Sequence, residues 1–212
     1  MRGLYPIVDL DALERRGISP RAFAERVLCA RPPLLQLRAK HATGSATLSY
    51  LRELAPLCAA AGTALYANDR PDLAVLAPAQ GVHVGQDDVP VREVRRFAPE
   101  LQIGVSTHDL EQLEAALAQK PNYVAFGPVF ATPSKQNHEP VVGLAGLERA
   151  AELAHQRAIP LVAIGGIGVE HAAELARLGV IAAVIGALVA DSLDEVEARA
   201  LEFQARLSQR PA

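Results

Sequence analysis

The 212-residue chain has no tryptophan, a single methionine and only two cysteines, and aromatic residues make up 4% of it. Aromatic rings cannot fill a large core at that level. Aliphatic side chains must do so, as in parallel sheets covered on both faces by helices. An excess of one charge is also missing: 21 Lys and Arg stand against 24 Asp and Glu, a net charge of -3 spread along the chain. Bulk attraction of nucleic acid is thereby excluded. No stretch approaches the roughly 20 uninterrupted apolar residues of a membrane span. The opening MRGLYPIVDLDALERR carries charge within its first two turns, unlike a secretory leader. Cys29 and Cys58 show no CxxC spacing and sit in apolar helical stretches, so both are expected to be buried small hydrophobes in a reducing compartment. The expectation is a cytoplasmic protein that meets neither nucleic acid nor membrane; homo-oligomerisation is compatible with the sequence.

Half of the residues are hydrophobic. They fall into short apolar runs at Leu4–Asp9, Leu34–Arg38, Ala64–Asn68, Gly81–Val84, Gln102–Ser106, Tyr123–Gly127, Leu161–Gly165 and Ala182–Gly186. Amphipathic helical patterns lie between them, at Pro20–Cys29, Ala46–Ala61, Pro71–Ala77, Val91–Phe97, Asp109–Gln119, Leu144–Arg157, Glu170–Leu178 and Leu193–Leu207. Alternating strands and helices give a parallel sheet. Eight such units in so short a chain predict one α/β domain over residues 1–212, closed into a (β/α)8 barrel. The competing open, doubly wound sheet would place a Gly-rich GxGxxG turn after the first strand. The segment there is DLDALERR.

Active sites of such barrels sit at the C-terminal ends of the strands. Reading only those ends collects Gln36, Arg38 and Lys40; Asn68 and Asp69; Gln86, Asp87 and Asp88; Ser106, Thr107 and His108; Thr132, Ser134 and Lys135; Gly165 and Gly166; and Gly186. The AIGGIG turn and Gly186 follow the seventh and eighth strands, where this fold often binds phosphate through backbone N–H groups; an ordinary tight turn is the alternative. Asp69 and Asp88 end consecutive units, and two converging carboxylates suit Mg²⁺. Either could instead cap the helix that follows it. Arg38, Lys40 and Lys135 suit a diphosphate, against the solvated surface that is the usual fate of Lys and Arg. His83 lies within a strand, where a structural role in the barrel is expected. His108 starts a helix and is expected only to orient the Ser106 loop. His138 lies in the long Val129–Val142 segment, which has the composition of a binding loop. No Ser–His–Asp or Cys–His constellation is apparent.

The stretches LYPIVD, QLRAK, YANDRPDLA, GVHVGQDD, IGVSTH, YVAFGPVFATPSK and PLVAIGGI occur in this order and span most of the chain. Together they closely resemble the thiamine-phosphate synthase (thiamine-phosphate pyrophosphorylase) family. The resemblance implies a TIM barrel and a transferase that joins hydroxymethylpyrimidine diphosphate to hydroxyethylthiazole phosphate with loss of diphosphate. It implies Asp69 and Asp88 as Mg²⁺ ligands and Arg38, Lys40, Asn68 and Lys135 around the diphosphate. Gln36 and Ser106 would contact the pyrimidine, and Thr132, Ser134, Gly166 and Gly186 would line the thiazole-phosphate side. Two positions depart from the pattern: Ser134 replaces a usual Thr but keeps its hydroxyl, and Gly186 replaces a usual Ser.

Such chemistry asks for electrostatics rather than a strong base. The leaving group is an anion, the electron-rich aminopyrimidine supports a positive methylene carbon, and the nucleophile is a ring nitrogen with no proton to remove. A thiazole tautomerase-like isomerase of the same fold is the nearest rival. In that group a histidine follows the Gly of FG-x-VF and the carboxylates tend to be lost, whereas this chain has Pro128 there and keeps Asp69 and Asp88. A non-catalytic thiazole-phosphate-binding barrel is the rival from another class.

Overall fold

In a computed structural model the described residues are 2–131 and 140–209. Eight parallel strands run in chain order and close on themselves: β1 (Gly3–Asp9), β2 (Leu34–Arg38), β3 (Ala64–Asn68), β4 (Gly81–Val84), β5 (Gln102–Thr107), β6 (Tyr123–Phe126), β7 (Leu161–Ile164) and β8 (Ile181–Val184), with β8 paired back to β1. The expected strands and the single (β/α)8 TIM barrel are all there, shifted at the ends by a residue or two. Helices α1 (Leu10–Glu14), α2 (Pro20–Leu28), α3 (Gly44–Ala61), α4 (Pro71–Leu76), α5 (Val91–Phe97), α6 (Leu110–Ala118), α7 (Gly143–Gln156), α8 (Ala172–Leu178) and α9 (Leu193–Leu207) surround it. Short 3-10 turns at Val169–His171 and Gly186–Leu188 precede α8 and α9. No described helix is long and apolar enough to cross a membrane.

The side-chain alternation of each strand divides the core in two. Leu4, Val8, Leu35, Leu37, Leu65 and Ala67 face the helices, in one continuous apolar layer. Tyr5, Ile7, Leu34, Tyr66, Tyr123, Ala125, Val162, Ile181 and Ala183 fill the barrel interior. Three of the four tyrosines are therefore inside, packed edge-to-face with ring centroids 5.4–6.3 Å apart. Glycines on the neighbouring strands make the space. A Cβ at Gly81 would lie 2.4 Å from the Tyr66 ring, and one at Gly104 would lie 2.0 Å from Tyr123 Cζ. Both glycines stand beside those tyrosines in the strand register.

Two features differ from the sequence reading. The DLDALE segment is helical from Leu10, because Asp9 caps it: Asp9 Oδ1 accepts a hydrogen bond from Ala12 N at 2.9 Å. Cys29 is exposed, although Cys58 is buried as expected. The inward stripe of α2 is Phe23, Ala24, Val27 and Leu28, and Cys29, as the C-cap, falls off that stripe. Burial pushes the Cys58 thiol up to about 12, which keeps it inert.

Candidate active site

Above the tyrosine layer the inward positions turn polar, and at the rim they become charged. Asp69 follows the last residue of β3 with a left-handed φ of 61°. Aspartate tolerates that region better than most residues, and such outliers cluster at functional sites. Its backbone N–H donates to His83 O at 2.7 Å, which pins it to β4. Its carboxylate accepts from Asn68 Nδ2 at 2.6 Å and pairs with the Lys40 ammonium. Asp88 arrives from the loop after β4, and its Oδ2 accepts from Gly85 N at 2.7 Å. Burial first, and then hydrogen-bonding contact with Asp69, raise the Asp88 carboxyl above the usual carboxylate range. The two acids therefore face one another. Neither caps a helix: α4 and α5 begin after Arg70 and Pro90, and no side chain caps either. The capping alternative fails for both.

The cations sit on the same rim. Arg38 Nη1 donates to Asp9 Oδ2 at 2.5 Å, and the Arg38 side chain is 19% exposed. Asp9 thus holds the start of α1 with one oxygen and Arg38 with the other. Sequence reasoning missed Asp9. The LYPIVD run is buried on both faces, so no polar–apolar alternation marks its last residue as inward. The Asp9–Leu10–Asp11 start of α1 was the available capping signal.

Gln36 is 3% exposed, and its Nε2 donates to Tyr5 Oη at 3.0 Å. Ser106 ends the inward row of β5. Its Oγ lies 2.8 Å from His83 Nε2, and its backbone carbonyl accepts from Gln86 Nε2 at 2.5 Å. His83 is inside the barrel, as expected. His108 Nδ1 lies 2.7 Å from Gly127 O, tying the end of β5 to the end of β6.

On the opposite side of the rim, Gly165 and Gly166 have φ values of 100° and 64°. A Cβ on Gly166 would sit 2.5 Å from Ala131 O, so the turn needs glycine there. Gly186 opens the 3-10 turn after β8 and lines a cleft of about 210 Å³ shared with Asp9, Arg15, Arg16 and Val189. The cleft's lining sets two arginines against the acid Asp9, and Arg16 Nη1 pairs with Asp191 Oδ1 at 2.6 Å. Thr132, Ser134, Lys135 and His138 lie outside the described residues. The structure therefore brings Arg38, Lys40, Asn68, Asp69 and Asp88 to one rim, with Gln36 and Ser106 below it.

The donor set can be compared with what Mg²⁺ demands. Among the described residues no group of three or more His, Cys, Asp and Glu side chains forms a metal cage. Two carboxylates in contact are what this rim offers. Mg²⁺ is commonly held in just that way, by one or two carboxylates with waters and substrate phosphates. The residues fit the ion.

Comparison with known proteins identifies the family and the fold. The family described as thiamine monophosphate synthase matches residues 4–188. A thiamine-phosphate synthase of Anaeromyxobacter dehalogenans is 42% identical over 205 residues, covering 96% of this chain and 86% of the relative. One of Chloroflexus aurantiacus is 39% identical over 206 residues, covering 97% and 92%. Among solved structures, a thiamine phosphate pyrophosphorylase from Pyrococcus furiosus superposes with a TM-score of 0.84 at 30% identity, covering 96% of this chain and 94% of that one. A 3-hexulose-6-phosphate synthase, at 19% identity and a TM-score of 0.64, shares the fold alone. From the rim of acids and cations to the full-length match, the chain belongs to the thiamine monophosphate synthase family.

Proposed function

We propose that the chain transfers the pyrimidinylmethyl group of 4-amino-2-methyl-5-hydroxymethylpyrimidine diphosphate to the ring nitrogen of hydroxyethylthiazole phosphate. Thiamine phosphate and diphosphate are the products. The observation that carries this reading is the Asp69–Asp88 pair, flanked by Lys40, Asn68 and Arg38 at one rim. An isomerase of the same fold has no leaving anion to neutralise and no use for that pair. Pro128 also occupies the position where such an isomerase would carry its histidine.

In this reading Gln36 and Ser106 orient the pyrimidine at the barrel mouth. Arg38, Lys40, Asn68 and Lys135 hold the diphosphate. Asp69 and Asp88 would hold a magnesium ion, which when bound supplies positive charge for the departing diphosphate. Gly166 and Gly186, with Thr132 and Ser134, receive the thiazole phosphate. The C–O bond to diphosphate breaks in a dissociative step, and the C–N bond to the thiazole forms. Asp9 keeps Arg38 extended toward the leaving group. Lys40, released from Asp69 when the anion binds, can turn to a phosphate oxygen. No side chain need accept a proton, because the attacking nitrogen carries none. Alignment of two substrates and stabilisation of the leaving charge supply the rate.

The test is direct. The protein is mixed with both substrates and Mg²⁺, and thiamine phosphate and diphosphate are measured. Asp69→Ala should remove Mg²⁺ dependence and most of the rate. Lys135→Ala should lower kcat or raise KM for the diphosphate substrate by roughly one to three decades. Near wild-type activity in Asp69→Ala would remove the metal assignment.

A further inference from the structure

Beneath the rim runs a continuous buried chain of hydrogen bonds that the reaction above leaves without a role. Gln36 Nε2 donates to Tyr5 Oη at 3.0 Å, and the Tyr5 and Tyr123 hydroxyls share a bond of 2.8 Å. Tyr123 Oη lies 2.9 Å from His83 Nδ1, and His83 Nε2 lies 2.8 Å from Ser106 Oγ. The chain passes through β2, β1, β6, β4 and β5, from one side of the barrel mouth to the other. Its three inner members, Tyr5, Tyr123 and His83, are buried. Burial raises both phenols well above their usual range, so they stay neutral.

Proton counting couples the two ends. Each hydroxyl has one proton, and a neutral imidazole carries one N–H. With the Gln36 amide donating to Tyr5, the Tyr5 proton turns to Tyr123 and the Tyr123 proton to His83 Nδ1. The imidazole proton then sits on Nε2 and points at Ser106 Oγ. Gln36 is left with its carbonyl, and Ser106 with its proton, for a ligand. With the imidazole neutral, reversing one link alone leaves a buried hydroxyl proton without an acceptor or sets two lone pairs together, so the low-cost change is for all of them to reverse. The arrangement as it stands matches an aminopyrimidine, which offers an exocyclic N–H and a ring lone pair.

We propose, resting on the synthase reading above, that Tyr5, Tyr123 and His83 are positioning residues. They couple the Gln36 amide to the Ser106 hydroxyl and present the two to the pyrimidine as one acceptor and one donor. The relay also explains why a chain so poor in aromatics places three tyrosines inside its barrel. Two of them carry the link, and Tyr66 packs against both while its hydroxyl donates to Gln102 Oε1 at 2.6 Å.

Tyr5 and Ser106 are separated by three hydrogen bonds, so a double-mutant cycle tests the link. Tyr5→Phe and Ser106→Ala are each expected to lower kcat/KM for the pyrimidine diphosphate about tenfold, leaving KM for the thiazole phosphate unchanged. The double variant should lose at least about threefold less than the product of the two. Losses that multiply, or that fall equally on both substrates, overturn the relay. Tyr123→Phe serves in the same cycle should Tyr5→Phe not fold. A second readout needs no turnover: ¹⁵N NMR of histidine-labelled, substrate-free protein, assigned with a His83→Asn variant. It should find the His83 proton on Nε2, and a proton on Nδ1 overturns the polarity. If the wild-type protein forms no thiamine phosphate, the proposed function fails while this spectrum still decides the relay.

Discussion

Gly104→Ala is the most searching substitution for the barrel interior. An added Cβ would lie 2.0 Å from Tyr123 Cζ, 2.4 Å from its Oη and 2.5 Å from Cε1. Real carbon atoms do not approach so closely, so the Tyr123 ring must move. It is held by β6 behind it and by Tyr5, Tyr66 and His83 around it, at ring distances of 5.4–5.8 Å. Overpacking of this kind costs about 1–3 kcal/mol. Displacing the hydroxyl also breaks its bonds to Tyr5 and His83, at about 1 kcal/mol each. The sum is roughly 3–5 kcal/mol out of a total stability of about 5–15 kcal/mol. In a chain of this size it should lower Tm by roughly 6–20 °C. Urea unfolding measures it. Tyr123→Leu removes the atoms that the new methyl would strike, so the Gly104→Ala/Tyr123→Leu double variant should be more stable than the sum of the singles by about 1–3 kcal/mol. A Gly104→Ala loss below about 1 kcal/mol, or strict additivity with Tyr123→Leu, would refute the packing argument.

Asp88→Asn keeps an acceptor for Gly85 N and removes the like charge facing Asp69. Without magnesium its Tm at neutral pH should therefore rise by about 1–3 °C. The gain should vanish as pH falls, because the raised Asp88 carboxyl of the wild type takes up its proton and loses its cost. Added Mg²⁺ should stabilise the wild type and not this variant, as thermal scans with and without a chelator would show. Asp9→Asn retains the cap on α1 but weakens the hold on Arg38. KM for the pyrimidine diphosphate should rise about tenfold in steady-state kinetics, as for loss of one charge-assisted bond. Alkylation followed by mass spectrometry should modify the exposed Cys29 in the native protein and reach Cys58 only after unfolding.

Much of this was legible in the sequence because a parallel barrel writes its chemistry at fixed places. Each apolar run ends where its strand ends, so Arg38, Asn68, Asp69, Ser106 and Gly165 could be located without coordinates. What could not be read was the inner layer. Parallel strands are apolar on both faces, and the period-2 signal that separates inside from outside disappears. Tyr5, Tyr66 and Tyr123 look like ordinary core residues, and Asp9 looks like the end of a hydrophobic word. Likewise, Gly81 and Gly104 read as strand weaknesses until the tyrosines that fill their space are seen. The exposure of Cys29 turns on one step around α2, finer than a helical pattern resolves.

The turn after β7 and the segment leaving β6 are sewn together. Val129 N donates to Ile164 O at 2.9 Å and Phe130 N to Gly165 O at 3.0 Å, while the backbones press so closely that neither Gly127 nor Gly166 could carry a methyl group. The segment leaving β6 runs on in the sequence toward Lys135, and the turn after β7 carries Gly166, which the proposed reaction gives to the thiazole phosphate. Under the proposed reaction, one mechanical root would thus serve both substrates. A substitution at Gly166 is then expected to disturb both segments together, so its kinetic effect should register on both proposed substrates rather than on one.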